Sequence, residues 1–180
     1  MFKDDIFDKR FIDELYQLLI NGTWKATNSA NNYTWPYGEK GTHVLLGETI
    51  FIPLNKYQQR SSKTLEEQKI FLDTFDHLCK VFNDKLRLDE ISTNLQFCGM
   101  DGSVHVDGLK NQIVYILMLS NNDLPNDIGG EFINTSTNSK FNFKHGRVIK
   151  LNAADKHQGL AFNKPNIPRI SVKFMGSTLE

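Results

Sequence analysis

The sequence predicts an α+β chain, mainly β, in which two supporting helices precede a double-sheet β core. Three observations lead there. Two stretches in the first half space their apolar residues for one helix face. Short segments rich in β-branched and aromatic residues recur through the rest of the chain. Gly, Asn, Asp or Pro separates most of these segments, which is turn punctuation of the kind found in sandwiches and barrels.

The elements follow in order. Residues 4–20 read as an amphipathic helix with Phe7, Phe11, Leu15, Leu18 and Leu19 near one face, ended by Asn21-Gly22. Residues 65–83 read as a second helix, opened by a Thr64/Glu67 capping box and striped by Ile70, Phe71, Phe75, Leu78 and Phe82. Strands are expected at 43–52, 91–98, 112–120, 130–134, 146–151, 157–162 and 168–175. No internal repeat or low-complexity linker divides the 180 residues. One domain is therefore expected over 1–180, with helical support and a lid in 1–90 and the core in 91–175. The segment 26–41 is polar yet holds Tyr33, Trp35 and Tyr37. It is either a surface loop with its aromatics tucked down or a lid that presents them to a substrate.

Composition excludes several classes. Lys plus Arg equal Asp plus Glu at 21 each, so no long-range field draws the chain to nucleic acid or anionic lipid. No apolar run reaches membrane-spanning length, and the acidic start MFKDDIFDKR does not read as a signal peptide. Cys79 and Cys98 form no CxxC pair, so a reducing cytoplasm is expected.

The chemistry concentrates in the second half. His105-Val106-Asp107 is the one His-x-Asp in the chain. On a strand, i and i+2 share a face, so one imidazole and one carboxylate can bind one ion. His157 and His145 are candidates for a third ligand. Two histidines and a carboxylate on one face of a metal leave positions open, as in non-haem Fe(II) sites. His145, in Lys144-His145-Gly146, reads as a solvent-facing turn residue, so His157 ranks first. Beyond His157, Arg169 and Ser171 again share a strand face, and a guanidinium fork matches a carboxylate.

These pieces stand in a particular order. Leu95-Gln96-Phe97 with Gly99 precedes His105-Val106-Asp107. Ile116-Leu117-Met118-Leu119-Ser120 and then Gly129-Gly130-Glu131-Phe132 follow, ahead of His157-Gln158-Gly159 and Arg169-Ile170-Ser171. The set resembles the 2-oxoglutarate- and Fe(II)-dependent oxygenases, in particular the prolyl 4-hydroxylase-like branch. The resemblance implies a double-stranded β-helix, or jelly roll, supported by helices. It implies Fe(II) on the catalytic residues His105, Asp107 and His157. It implies 2-oxoglutarate as co-substrate, its distal carboxylate on Arg169 with help from Ser171, and Tyr115 as a further candidate for that pocket. O2 and ascorbate complete the implied requirements. The implied reaction hydroxylates an unactivated C–H bond and releases succinate and CO2, with a prolyl residue of a peptide or protein as the leading substrate. Tyr33, Trp35 and Tyr37 are the candidate substrate contacts.

The chain departs from the family in places. The prolyl branch often has Lys where this chain has Arg169, and Met118 stands where an aromatic is frequent. The nucleic-acid demethylase branch carries a second arginine where this chain has Met175, which argues against a nucleic-acid substrate. Three other readings compete: a hydroxylase of a free small molecule, a non-catalytic jelly-roll module that binds a metal or carboxylate, and a metal-dependent cupin enzyme without 2-oxoglutarate, whose sites usually use more histidines.

Overall fold

The computed structural model describes residues 1–26, 45–52, 63–121, 124–125 and 127–179. The expectations for Tyr33, Trp35 and Tyr37 lie outside these residues. The elements are β1 (Phe2–Lys3), α1 (Lys9–Ile20), β2 (Lys25–Ala26), β3 (Leu46–Phe51) and α2 (Leu65–Phe82). There follow β4 (Leu86–Gln96), β5 (Gln112–Leu119), β6 (Phe132–Asn134), β7 (Ser139–Phe141), β8 (Val148–Asn152), β9 (His157–Gly159) and β10 (Arg169–Thr178).

Helix α2 matches its sequence signals. Thr64 Oγ1 accepts the Glu67 N–H, and the Glu67 carboxylate accepts the Thr64 N–H. Asn83, in the left-handed region at φ 54, ends the helix. Helix α1 starts later than expected. Asp8 is its N-cap, accepting the Arg10 N–H, and Asp5 at φ 54 breaks the chain before it. Its buried face is also rotated from the expected one, to Ile12, Leu15, Tyr16 and Leu19. Phe7, Phe11 and Leu18 are only partly buried at its margin.

Strand β4 begins at Leu86, ahead of the expected 91, because Leu86 pairs with Thr178 at the far end of β10. Its charged stretch Arg87-Leu88-Asp89-Glu90 belongs to the half-exposed part of the strand. The short strand β7, whose one apolar residue is Phe141, lies outside the expected strands; it pairs with β6 through a turn at Asn138, which has φ 52.

The larger sheet runs β1-β8-β5-β10-β4-β3-β2 and the smaller β7-β6-β9, each antiparallel. Side-chain alternation along the central strands divides the interior in two. On β5, Tyr115, Leu117 and Leu119 face α1 and α2, joining Leu15, Leu19, Phe71 and Leu78. Val114, Ile116 and Met118 face the smaller sheet, joining Phe132, Ile149, Leu151 and Met175. Helices thus cover one face of the larger sheet and the smaller sheet covers the other, a jelly-roll core with helical support. The polar cleft opens within that second, inter-sheet layer. Among the described residues, no helix is long and apolar enough to cross a membrane.

Candidate active site

The site is built where the chain before β5 meets the start of β9. His105 lies in an isolated bridge rather than a regular strand. Its N–H donates to the His157 carbonyl at 3.0 Å, and the His157 N–H donates back at 2.9 Å. This reciprocal pair sets the two residues opposite each other, with ring centroids 4.5 Å apart. Asp107 is fixed by its own N–H, which donates to the Ala153 carbonyl at 2.9 Å. Phe132 stacks on His157 at 5.2 Å and forms one wall.

Each imidazole is oriented from behind. His105 Nδ1 lies 2.8 Å from the Ser103 carbonyl, and His157 Nδ1 lies 2.8 Å from the Asp155 carbonyl. A carbonyl only accepts, so both Nδ1 atoms carry protons and both Nε2 atoms present lone pairs inward. Those lone pairs meet a carboxylate: His157 Nε2 is 3.2 Å from Asp107 Oδ2 and His105 Nε2 is 3.7 Å from Asp107 Oδ1. Acceptors that converge in this way repel unless a cation lies among them. The three ligand atoms all lie within 4.8 Å of one another, a span that suits one metal ion.

Charge placement agrees. Burial acts to raise the Asp107 pKa, but the Lys173 ammonium, 3.3 Å from Oδ1, opposes it and the carboxyl is held below its usual range. Burial lowers the His105 pKa, against the opposing pull of Asp107, which keeps the ring neutral and able to ligate.

Arg169 is the second fixed point. It is 1% exposed. Its Nε donates to the Gly130 carbonyl at 3.1 Å and its Nη1 to Gln96 Oε1 at 2.6 Å. Its Nη2 is buried with no partner among the described residues. Burial pulls the guanidinium pKa down to about 10, against Asp101 and Glu131, so it remains a cation at neutral pH. A buried donor left unmade is costly, so this atom is shaped for an incoming acceptor. Gly159 leaves room beside it, since a Cβ there would sit 3.3 Å from Nη2; a Cβ on Gly130, at φ +77, would strike the Phe162 ring.

Of the expected site residues, the structure brings together His105, Asp107, His157, Arg169 and Ser171 in one cleft. Tyr115 is a correction. It faces α2, stacks on Phe82 and donates to Asp84, because its odd position on β5 points away from the cleft. His145 also differs from the expected solvent-facing residue. It is half-buried against α1, bonded to Asp13 and the Ser120 N–H.

The sequence reading gives no role to Gln96 or Lys173, both of which line the cleft. Gln96, the register partner of Arg169, donates through Nε2 to the Met100 and Gly159 carbonyls. Lys173 bridges Asp107 Oδ1 at 3.3 Å and Glu90 Oε1 at 3.1 Å. The available signal was polar alternation: Ser92, Asn94 and Gln96 on β4, and Arg169, Ser171 and Lys173 on β10, all line the cleft.

No family model and no curated relative matches the chain. Solved structures do. A Burkholderia pseudomallei oxidoreductase of the 2OG-Fe(II) oxygenase family matches with TM-score 0.71 at 14% identity, over 97% of this chain and 82% of that one. The collagen prolyl hydroxylase of Paramecium Bursaria Chlorella virus-1, in complex with 2OG, matches with TM-score 0.58 at 16% identity, over 99% and 96%. HygX from Streptomyces hygroscopicus, with nickel and 2-oxoglutarate bound, matches with TM-score 0.62 at 11% identity, over 99% and 82%. The chain thus has the fold of the 2OG-Fe(II) oxygenases.

Proposed function

We propose that the chain is a 2-oxoglutarate- and Fe(II)-dependent dioxygenase that hydroxylates an unactivated C–H bond, with a prolyl residue of a peptide or protein as its substrate. One juxtaposition carries the reading. Three metal-type acceptors converge at one end of a cleft, and a buried guanidinium with a free N–H lies in the same cleft. His105, Asp107 and His157 would hold Fe(II), leaving positions open to the cleft. Arg169 would take the distal carboxylate of 2-oxoglutarate, with Ser171 beside it on β10. When bound, iron and 2-oxoglutarate together supply the oxidising power for C–H cleavage by O2, with release of succinate and CO2.

The protein's own part is orientation. The Ser103 and Asp155 carbonyls fix both imidazoles, and Gln96 and Gly130 fix Arg169. Phe132 and Ile116 are buried cleft residues that keep water from the metal side. These pieces fit a co-substrate anchored at both ends. A non-catalytic module would have no use for the second anchor.

The prolyl reading rests on the likeness to the viral collagen prolyl hydroxylase. A free small molecule is the second reading, favoured by the likeness to HygX, which has also been solved with hygromycin B bound. Tyr33, Trp35 and Tyr37 remain the proposed substrate contacts.

The test is succinate formation from 2-oxoglutarate in the presence of Fe(II), O2 and ascorbate. It is run with proline-containing peptides and with free amino acids and aminoglycosides. Succinate that rises with a prolyl peptide supports the full reading. Stimulation by a small molecule alone keeps the enzyme and replaces the substrate. No succinate under any condition points to a binding module.

A further inference from the structure

We infer that Lys173 is a positioning residue for the metal-ligating carboxylate, holding one oxygen of Asp107 so that the other faces the ion. The inference rests on the metal site of the proposed function and concerns a residue outside the His-Asp-His set. Lys173 projects from β10, the central strand of the larger sheet, where its backbone pairs with Ser92 on one side and Ile116 on the other. Its place is therefore fixed. Asp107 has no such support, because it sits outside any strand. Its backbone anchor is one hydrogen bond to Ala153. The rigid element thus carries the clamp and the irregular segment carries the ligand.

The geometry assigns the two oxygens different tasks. Lys173 Nζ lies 3.3 Å from Asp107 Oδ1, which is 3.7 Å from His105 Nε2, whereas Oδ2 is free of the ammonium and lies closer to a ligand nitrogen, 3.2 Å from His157 Nε2. An oxygen hydrogen-bonded to an ammonium is a poorer ligand than its free twin. The carboxylate is thereby steered toward one metal bond instead of two, which keeps a coordination position open. Charge would otherwise count against a lysine beside a dication. Glu90 Oε1, 3.1 Å from the same ammonium, offsets it. An ammonium has three donors on one compact charge, which suits bridging two carboxylates. The order Glu90–Lys173–Asp107 is a chain in which, among the described residues, Lys173 links Glu90 to the metal ligand.

The experiment measures Mn(II) affinity by titration in the absence of 2-oxoglutarate, and the visible absorption of the Co(II)-loaded protein. Partners that orient metal ligands from outside are worth about 10- to 100-fold in affinity. Lys173→Met is expected to weaken Mn(II) binding within that range. It is also expected to change the Co(II) absorption, since a second Asp107 oxygen on the ion displaces a water ligand. Adding Glu90→Gln to Lys173→Met should cost nothing further. Equal or tighter Mn(II) binding by folded Lys173→Met overturns the inference, as does an unchanged Co(II) spectrum or a further additive loss in the double variant. If Lys173→Met does not fold, Lys173→Leu, which likewise removes the donor, reads the same ratio. Failure of the wild type to bind Mn(II) overturns the proposed function instead, so the two failures are distinct.

Discussion

Arg169 commits Nε and Nη1 to the protein and leaves Nη2 bare in a buried setting. That asymmetry is the residue-scale basis for the proposed carboxylate site. With 2-oxoglutarate at a hundredfold its dissociation constant, the metal-loaded protein should gain about 2.7 kcal/mol of stability. Arg169→Ala should lose most of that gain while Mn(II) affinity stays as in the wild type. Equal melting shifts in both proteins would remove Arg169 from the site. Tyr115 gives the complementary test. Its hydroxyl donates to Asp84, which also accepts from Lys150, on the helix side of the sheet. Tyr115→Phe should cost about 1.5–3 kcal/mol of stability, the usual range for a hydrogen bond to a charged group. Affinity for 2-oxoglutarate should not change; a weakened affinity would return Tyr115 to the cleft.

At the scale of elements, α1 is tied to the turn before β8 by one imidazole. His145 Nδ1 accepts the Ser120 N–H at 3.1 Å, and Nε2 donates to Asp13 Oδ1 at 3.0 Å. This is the neutral ring used from both ends. Protonating Nδ1 would turn two donors on each other and break the Ser120 bond. Burial lowers the His145 pKa below the ordinary 6.5, although Asp13 pulls the other way. The folded state therefore binds fewer protons than the unfolded one near that pH. The contribution is complete above 6.5 and is lost as pH falls through the lower folded value. Urea midpoints of the metal-free protein should drop between about pH 7 and about pH 5, and His145→Gln should make that drop shallower. An unchanged slope would mean that His145 titrates alike in both states.

Over the whole molecule, the larger sheet separates a helix-side core from the inter-sheet layer that holds the cleft. Phe71 is 0% exposed within the helix-side core. Phe71→Ala should cost about 3–5 kcal/mol through lost burial and the cavity left behind. Below the melting transition, the metal affinity of the folded protein should be unchanged, because no ligand, and no residue that orients one, belongs to that core. A large loss of affinity would show that the two layers are coupled through the sheet.

The sequence by itself determined the class of elements and the identities of His105, Asp107, His157 and Arg169 as a candidate set. These signals are local: a capping box, a helical stripe and polar residues two apart each act within a few positions. Tertiary structure decided which distant residues meet and which strand face turns inward. Gln96 reaches Arg169, and Lys173 reaches Asp107, across gaps that no local pattern spans. Tyr115 lost its expected place by the same logic. A side-chain period of two makes one position the difference between cleft and core, and only the pairing of β5 between β8 and β10 sets it.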